Sequence, residues 1–172
     1  MRFNNVDMEK IKRAVEDMRS NPSSAVRVTE VDGRWNLVGV EYQFTARCRT
    51  ESGEFRLEVD SPGFMGGSGS RPGPMHYCLI GLTSCFMATL VSVASEKGVK
   101  LNSADVKGKC EIDFSKPFGL SNNPIIRSVR FEVKLDAAAP REVLNHLISE
   151  AKERCPAVYS LRTPIEPDIT LV

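Results

Sequence analysis

The stretch PGPMHYCLIGLTSCFMATLVSVAS, which spans residues 72–95, contains no charged side chain and decides the predicted fold. Pro74 suits the first position of a helix, and Gly98 suits the position just after a helix ends. The run therefore predicts one long helix that is apolar on nearly every side, as the central helix of a fold is. The run is long enough for a membrane span, but its His, Ser and Thr side chains lower its hydrophobicity, so no membrane span is expected.

Segments of alternating apolar and polar residues lie on both sides of this helix. Residues 6–20 carry apolar residues at helical spacing and predict an N-terminal amphipathic helix. The dipeptide Asp32-Gly33 is a hairpin turn signal. The predicted strands, two of them flanking that turn, cover residues 26–31, 35–40, 42–49, 55–59, 106–114 and 129–135.

The remaining segments predict a loop, a helix and a final strand. Glycines and prolines forbid regular structure over residues 61–74. A helix begins at Pro140 and ends by Cys155-Pro156, and residues 165–171 predict a last short strand. This order predicts an α+β fold in which antiparallel sheets wrap around the long central helix. The length suits a single domain, residues 1–172, with residues 1–22 as an N-terminal helical extension.

Composition and charge exclude some classes of protein. The formal net charge is +1, with acidic and basic residues interleaved, which argues against a nucleic-acid-binding protein with a basic stripe. Five cysteines, an odd number without a disulfide framework, suit a reducing cytoplasm. The N-terminus lacks the apolar core of a signal peptide, which also favours a cytoplasmic protein. His76, Cys78 and Cys85 do not share a usual metal-ligand spacing, so no metal site is expected.

Cys85 lies near the middle of the predicted central helix, where it is either a packing residue or a protected nucleophile. Apolar surroundings raise the pKa of a thiol, and the helix dipole fades within the first turn. A reactive Cys85 therefore needs a fixed cation or a base. Arg47 and Arg49, on the polar face of the predicted strand 42–49, are candidates for the cation, and His76 is a candidate for the base. The residues alone leave both roles of Cys85 open.

Two motifs carry a resemblance to a known family. The first runs from Gly66-Gly67 through the Pro74 helix start to Cys85, and the second is AKERCPAVY at residues 151–159. Together with the preceding segment Leu57 to Pro62, they resemble the osmotically inducible protein C and organic hydroperoxide resistance family (OsmC/Ohr). The resemblance covers about residues 35–172 and leaves the N-terminal helix outside it.

The resemblance implies an OsmC-like fold, an intertwined homodimer and the reduction of organic hydroperoxides without a metal, flavin or other cofactor. Cys85 would then be the peroxidatic thiol, which a hydroperoxide oxidises to a sulfenic acid. Cys155 would be the resolving thiol, which condenses with that acid to a disulfide. An external dithiol reductant, for which a lipoyl-type dithiol is one option, would restore both thiols.

One family feature is missing from this chain. The family holds the thiolate with an arginine from an early strand, which a glutamate near the start of the central helix orients. Arg47 lies nearest to the arginine position, and Arg49 points to the same face. At the glutamate position, or beside it, stand Met75 and His76, and a neutral imidazole cannot give the bidentate pairing of a carboxylate. Two roles for His76 stay open, a base and a half-exposed residue without function.

Two other hypotheses compete with the peroxidase. A non-catalytic OsmC-like dimer would bind a small apolar ligand around Cys85 or sense redox state through its thiols. A purely structural dimer would keep Cys85 inaccessible to reagents.

Overall fold

The computed structural model describes residues 2–39 and 41–171, and the chain forms two compact units. The thiol unit runs from the N-terminus to Lys12 and from Leu79 onward, and the arginine unit covers residues 13–78. Val40, at the end of the predicted strand 35–40, lies outside the described residues. The prediction that residues 1–172 form a single domain stays a prediction.

The elements in chain order are β1 (Arg2–Phe3), β2 (Val6–Asp7), α1 (Met8–Ser20), a 3-10 helix (Pro22–Ala25), β3 (Val31–Trp35), β4 (Phe44–Thr50), β5 (Gly53–Val59), a second 3-10 helix (Gly63–Met65), α2 (Pro74–Glu96), β6 (Leu101–Ile112), β7 (Ile126–Ala137), α3 (Arg141–Arg154) and α4 (Pro156–Arg162). All strand pairs are antiparallel, with the orders β1-β2, β3-β4-β5 and β6-β7. The predicted α+β class, with antiparallel sheets and a long helix that starts at Pro74, is therefore confirmed.

The predicted hairpin turn at Asp32-Gly33 is wrong, and so are the two strands predicted beside it: of residues 26–31 and 35–39, only Val31 and Trp35 lie in a strand. Asp32 and Gly33 both lie inside β3, where Gly33 pairs with Ala46 of β4. A Cβ atom on Gly33 would lie 2.1 Å from the ring of Phe44, so the glycine is needed where an aromatic ring crosses the strand. The chain reverses instead after Asn36, whose backbone N–H donates to the carbonyl of Gln43 at 2.7 Å.

The sheet of the arginine unit has one apolar face and one polar face, because side chains alternate along each strand. Val31, Trp35 and Phe55 on the apolar face are 63%, 54% and 52% exposed. The opposite face carries the charged residues, and its middle row is Asp32, Arg47 and Arg56, paired across the three strands.

The loop before α2 is organised by one buried carboxylate. Asp60 is only 2% exposed, and its Oδ2 accepts hydrogen bonds from the Ser68 hydroxyl at 2.7 Å and from the Ser68 and Ser70 backbone N–H groups. The Ser68 donors, the largest contribution, hold the pKa of Asp60 below its usual value. The glycine-rich segment predicted as a loop is thus a loop with one 3-10 turn, Gly63–Met65, and is held together by its own hydrogen bonds.

The core of the thiol unit lies between α2, α3 and the β6-β7 hairpin. Its buried residues come from the second half of α2, from α3 and from the residue that follows α3: Phe86, Leu90, Val93, Ala94, Leu147, Ala151 and Cys155. Among the described residues, α2 alone is long and apolar enough to cross a membrane. Because its second half supplies most of this core, α2 is a core helix rather than a membrane span.

The N-terminal residues are attached to this core by Asn4. Asn4 has a positive φ of 48°, and its side chain donates to the Val99 carbonyl at 2.8 Å and accepts from the Leu101 N–H at 2.9 Å. It thereby joins β1 to the junction between α2 and β6. No sequence pattern pointed to this contact.

The predicted strand at residues 165–171 is wrong for the part of the chain that the structure describes. The chain leaves α4 at Arg162 and continues without regular structure, with Ile165, Ile169 and Leu171 exposed. Alternating apolar residues favour a strand, but a strand also needs a hydrogen-bonded neighbour, and none of the described sheets pairs with this segment.

Candidate active site

Two cysteines that are 70 positions apart in sequence meet in the thiol unit. The Cys155 thiol donates a hydrogen bond to the Cys85 sulfur, with the two sulfurs 3.7 Å apart. Cys155 is fully buried, whereas Cys85 is half-buried. Both are free thiols in this structure.

Cys155 is the single residue between α3 and α4. Its N–H closes the last turn of α3 by donating to the Ala151 carbonyl, and its own carbonyl accepts from the Tyr159 N–H of α4, each at 2.9 Å. Pro156 fixes the first position of α4 because its ring locks φ and removes an N–H that would otherwise need a partner. The thiol therefore sits where the chain changes direction.

Charged hydrogen bonds hold the end of α3 against α2. The guanidinium of Arg154 donates to both carboxylate oxygens of Glu96, at 2.7 and 2.9 Å, and also to Glu150 at 3.1 Å. Glu96 first and Glu150 after it raise the pKa of Arg154. Such bidentate pairs fix geometry as well as adding energy. They place the residue that follows Arg154, the buried Cys155, beside α2.

The surroundings of Cys85 favour the neutral thiol. Burial, the largest cause, raises its pKa above the ordinary value, and the neighbouring Cys155 thiol raises it further. One group opposes them, since the backbone N–H of Ala157 donates to the Cys85 sulfur and lowers the pKa. Ala157 was not a candidate from the sequence, because a backbone donor carries no residue-type signal.

The pair can form a disulfide with little movement. The sulfurs need to approach from 3.7 Å to about 2.05 Å. The half-buried Cys85 is the thiol that a reagent reaches, while the buried Cys155 can react only with a group already beside it. The two thiols can therefore give up two electrons together, and the pair is then oxidised to a disulfide.

The other three predicted site residues belong to the arginine unit. Arg49 pairs with Glu54 at 3.6 Å across the hairpin. Arg47 is exposed on the polar face and forms no ion pair with the described residues. His76 is exposed, and its Nδ1 accepts the Gly73 N–H at 3.2 Å, so it caps its own helix. The roles predicted for these three residues stay predictions.

A second polar cluster in the arginine unit was not anticipated. Two guanidinium groups, those of Arg56 and Arg71, lie 5.7 and 5.6 Å from the centre of the Tyr42 ring. Arg71 donates to Glu58 at 2.8 Å, and Arg56 donates to the Tyr42 hydroxyl. The hydrogen bond from Arg71 is the largest cause that lowers the pKa of Glu58. Across residues 2–39 and 41–171, no cluster of three His, Cys, Asp or Glu side chains could hold a metal.

The fold and the site define a class of α+β proteins in which a central helix and the junction of two C-terminal helices each contribute a thiol. The family described as OsmC-like protein matches residues 67–170, a segment that contains both cysteines. The chain belongs to the OsmC family. The resemblance found in the sequence is thus confirmed.

Solved structures support the fold. An OsmC-like protein from Mycoplasma pneumoniae is 17% identical, with a TM-score of 0.61 and coverage of 80% of this chain and 89% of that one. An organic hydroperoxide resistance protein OsmC from Legionella pneumophila is 18% identical, with a TM-score of 0.53 and coverage of 80% and 91%. The organic hydroperoxide resistance protein of Elizabethkingia anophelis is 21% identical, with a TM-score of 0.53 and coverage of 82% and 92%. Curated proteins gave no match.

Proposed function

We propose that this protein is a thiol-dependent peroxidase that reduces organic hydroperoxides to alcohols. The observation that carries the proposal is the approach of the Cys85 and Cys155 sulfurs to 3.7 Å inside an otherwise apolar core. Membership of the OsmC family and the names of structural neighbours as organic hydroperoxide resistance proteins support it.

The reaction proceeds in two steps on sulfur. The Cys85 thiolate attacks the distal oxygen of the hydroperoxide, so that an S–O bond forms, the O–O bond breaks and the alkoxide leaves with a proton as the alcohol. The Cys155 thiolate then attacks the Cys85 sulfenic acid and expels hydroxide, which gives a disulfide and, after protonation, water. An external dithiol, such as a lipoyl-type dithiol, reduces the disulfide, and no cofactor takes part.

The thiolate needs a cation, because burial raises the pKa of Cys85. We assign this role to Arg47 rather than to Arg49, since Arg49 already pairs with Glu54 and Arg47 has no ionic partner among the described residues. His76 caps its own helix through Gly73, which favours a structural role over that of a base. The apolar neighbours Phe86 and Met87 favour organic hydroperoxides over hydrogen peroxide.

The proposed form is a cytoplasmic homodimer. A sheet face with Val31, Trp35 and Phe55 more than half exposed would be covered by a second copy, as in the intertwined dimers that the family resemblance implies. Five cysteines, an odd number without a disulfide framework in the sequence, suit a reducing compartment.

Stopped-flow oxidation with cumene hydroperoxide tests the proposal. We expect fast oxidation of the wild type, none in Cys85→Ser, and a sulfenic acid that accumulates after one turnover in Cys155→Ser. Cys48→Ser, which removes a half-buried thiol of the arginine unit, is the matched control and should react like the wild type. Turnover that survives Cys85→Ser would exclude the mechanism.

One observation favours the second hypothesis, a non-catalytic protein that binds a ligand or senses redox state. The raised pKa of Cys85 keeps the sulfur protonated unless a cation reaches it. Two results together would select the redox sensor. The wild type would be oxidised by the hydroperoxide no faster than a free thiol, and a stable disulfide would be found in oxidised cells.

A further inference from the structure

The polar face of the β3-β4-β5 sheet contains a cavity of about 530 Å³. Guanidinium groups from all three strands line it, together with uncharged donors and one carboxylate; the polar lining residues are Asp32, Arg34, Asn36, Thr45, Arg47 and Arg56. A volume of this size falls within the range of small-molecule sites, about 300–1,000 Å³.

Positive charge is in excess around this cavity. Arg34 and Arg47 have no ion-pair partner in the described ranges 2–39 and 41–171. In the strand register Arg47 stands between Asp32 of β3 and Arg56 of β5. Like charges directly opposite each other destabilise a sheet, and the pairing of Arg47 with Arg56 is of this kind. Glu58, the carboxylate nearest to Arg56 at 3.7 Å, is shared with Arg71. A bound anion would offset this repulsion.

We propose that the cavity binds a phosphomonoester of a small hydroxylated molecule. A guanidinium presents a planar fork of N–H donors that matches the oxygens of a phosphate, and three such groups suit a dianion. The carboxylate of Asp32 accepts hydrogen bonds from hydroxyl groups on the rest of the ligand. An adjoining cavity of about 360 Å³ shares Asp32 and Arg47 and adds Thr29 and Glu30, which provides further acceptors.

This inference shares one residue, Arg47, with the peroxidase proposal and no other. Every lining residue belongs to the arginine unit, and neither thiol takes part. Arg47 is the arginine assigned to the thiolate above, so the tests use Arg34, which has no assigned part in the peroxidase reaction. Failure of one proposal is therefore distinguishable from failure of the other.

Calorimetric titration with glucose 6-phosphate tests the site, with glucose as the probe that lacks the phosphate. We expect saturable binding of glucose 6-phosphate that weakens as salt rises, and no binding of glucose. Arg34→Gln should weaken binding by about tenfold or more, because it removes a charge-assisted hydrogen bond, and Arg34→Lys should give an intermediate loss. Arg13→Gln removes the same charge from exposed helix α1, and we expect a change of less than about twofold.

Backbone amide NMR shifts give a readout that does not depend on affinity alone. Glucose 6-phosphate should perturb the amides of Asp32, Arg34, Thr45 and Arg47 in the wild type and in Cys85→Ser alike. Equal losses in Arg34→Gln and Arg13→Gln would indicate a general charge effect and overturn the site. Unchanged binding in Arg34→Gln, shifts confined to the thiol unit, or no saturable binding at millimolar ligand would also overturn it.

Discussion

Oxidation of the Cys85–Cys155 pair should stabilise the protein by a measurable amount. The two thiols are separated by 70 positions, and closing a loop of that length removes chain entropy from the unfolded state worth about 4 kcal/mol. Because the sulfurs already lie side by side at 3.7 Å, the folded state needs little distortion to accept the bond. For a chain of this size the gain corresponds to a rise in melting temperature of about 10 °C.

The assay is urea unfolding of the wild type after reduction by dithiothreitol and after one equivalent of cumene hydroperoxide, with peptide mapping to identify the disulfide. Cys85→Ser, treated in the same way, is the control and should show no shift of its midpoint. An oxidised wild type that unfolds at the same urea concentration as the reduced form would refute the reasoning. So would an equal shift in the control, because the stabilisation would then come from other cysteines.

Three further outcomes follow from the same contacts. Replacement of Cys155 by Ala should move the pH midpoint of Cys85 alkylation by iodoacetamide downward, since Cys155 raises the pKa of Cys85; an unchanged profile would contradict this coupling. Asp60→Asn should lower the melting temperature at neutral pH. That difference should shrink as the pH falls below about 4, because a carboxylate with a lowered pKa stabilises only while ionised; a pH-independent difference would argue otherwise. Leu147→Ala, at a fully buried position, should cost about 2–5 kcal/mol in urea unfolding, and a loss under about 1 kcal/mol would show that Leu147 is not packed as described.

Local patterns in the sequence predicted helices α1, α2 and α3 and strands β4 to β7. The long helix begins at Pro74 as predicted, because proline at the first position and the following apolar run are features of the local chain. The strands around Ala46, Leu57 and Val133 were predicted from alternation, which depends only on neighbouring residues. Helix α4 was missed because its seven residues are too few to show a period.

The same local rules failed where a distant residue decides the conformation. Asp32-Gly33 has the composition of a turn, yet the Phe44 ring from the next strand occupies the space beside Gly33 and keeps it extended. Residues 165–171 alternate like a strand but find no partner among the described sheets. In both cases the tertiary context of the segment outweighs its local conformational preference.

The sequence by itself determined the α+β class, the central helix and the identity of the two thiols as candidates, because residue type and spacing carry that information. Only the tertiary structure decided that the Cys85 and Cys155 sulfurs lie 3.7 Å apart and that the Ala157 N–H faces a sulfur. It also decided that Arg49 forms an ion pair while Arg47 forms none with the residues that the structure describes. These are distances between positions far apart along the chain. They depend on how helices and strands pack, and no local pattern of residues encodes them.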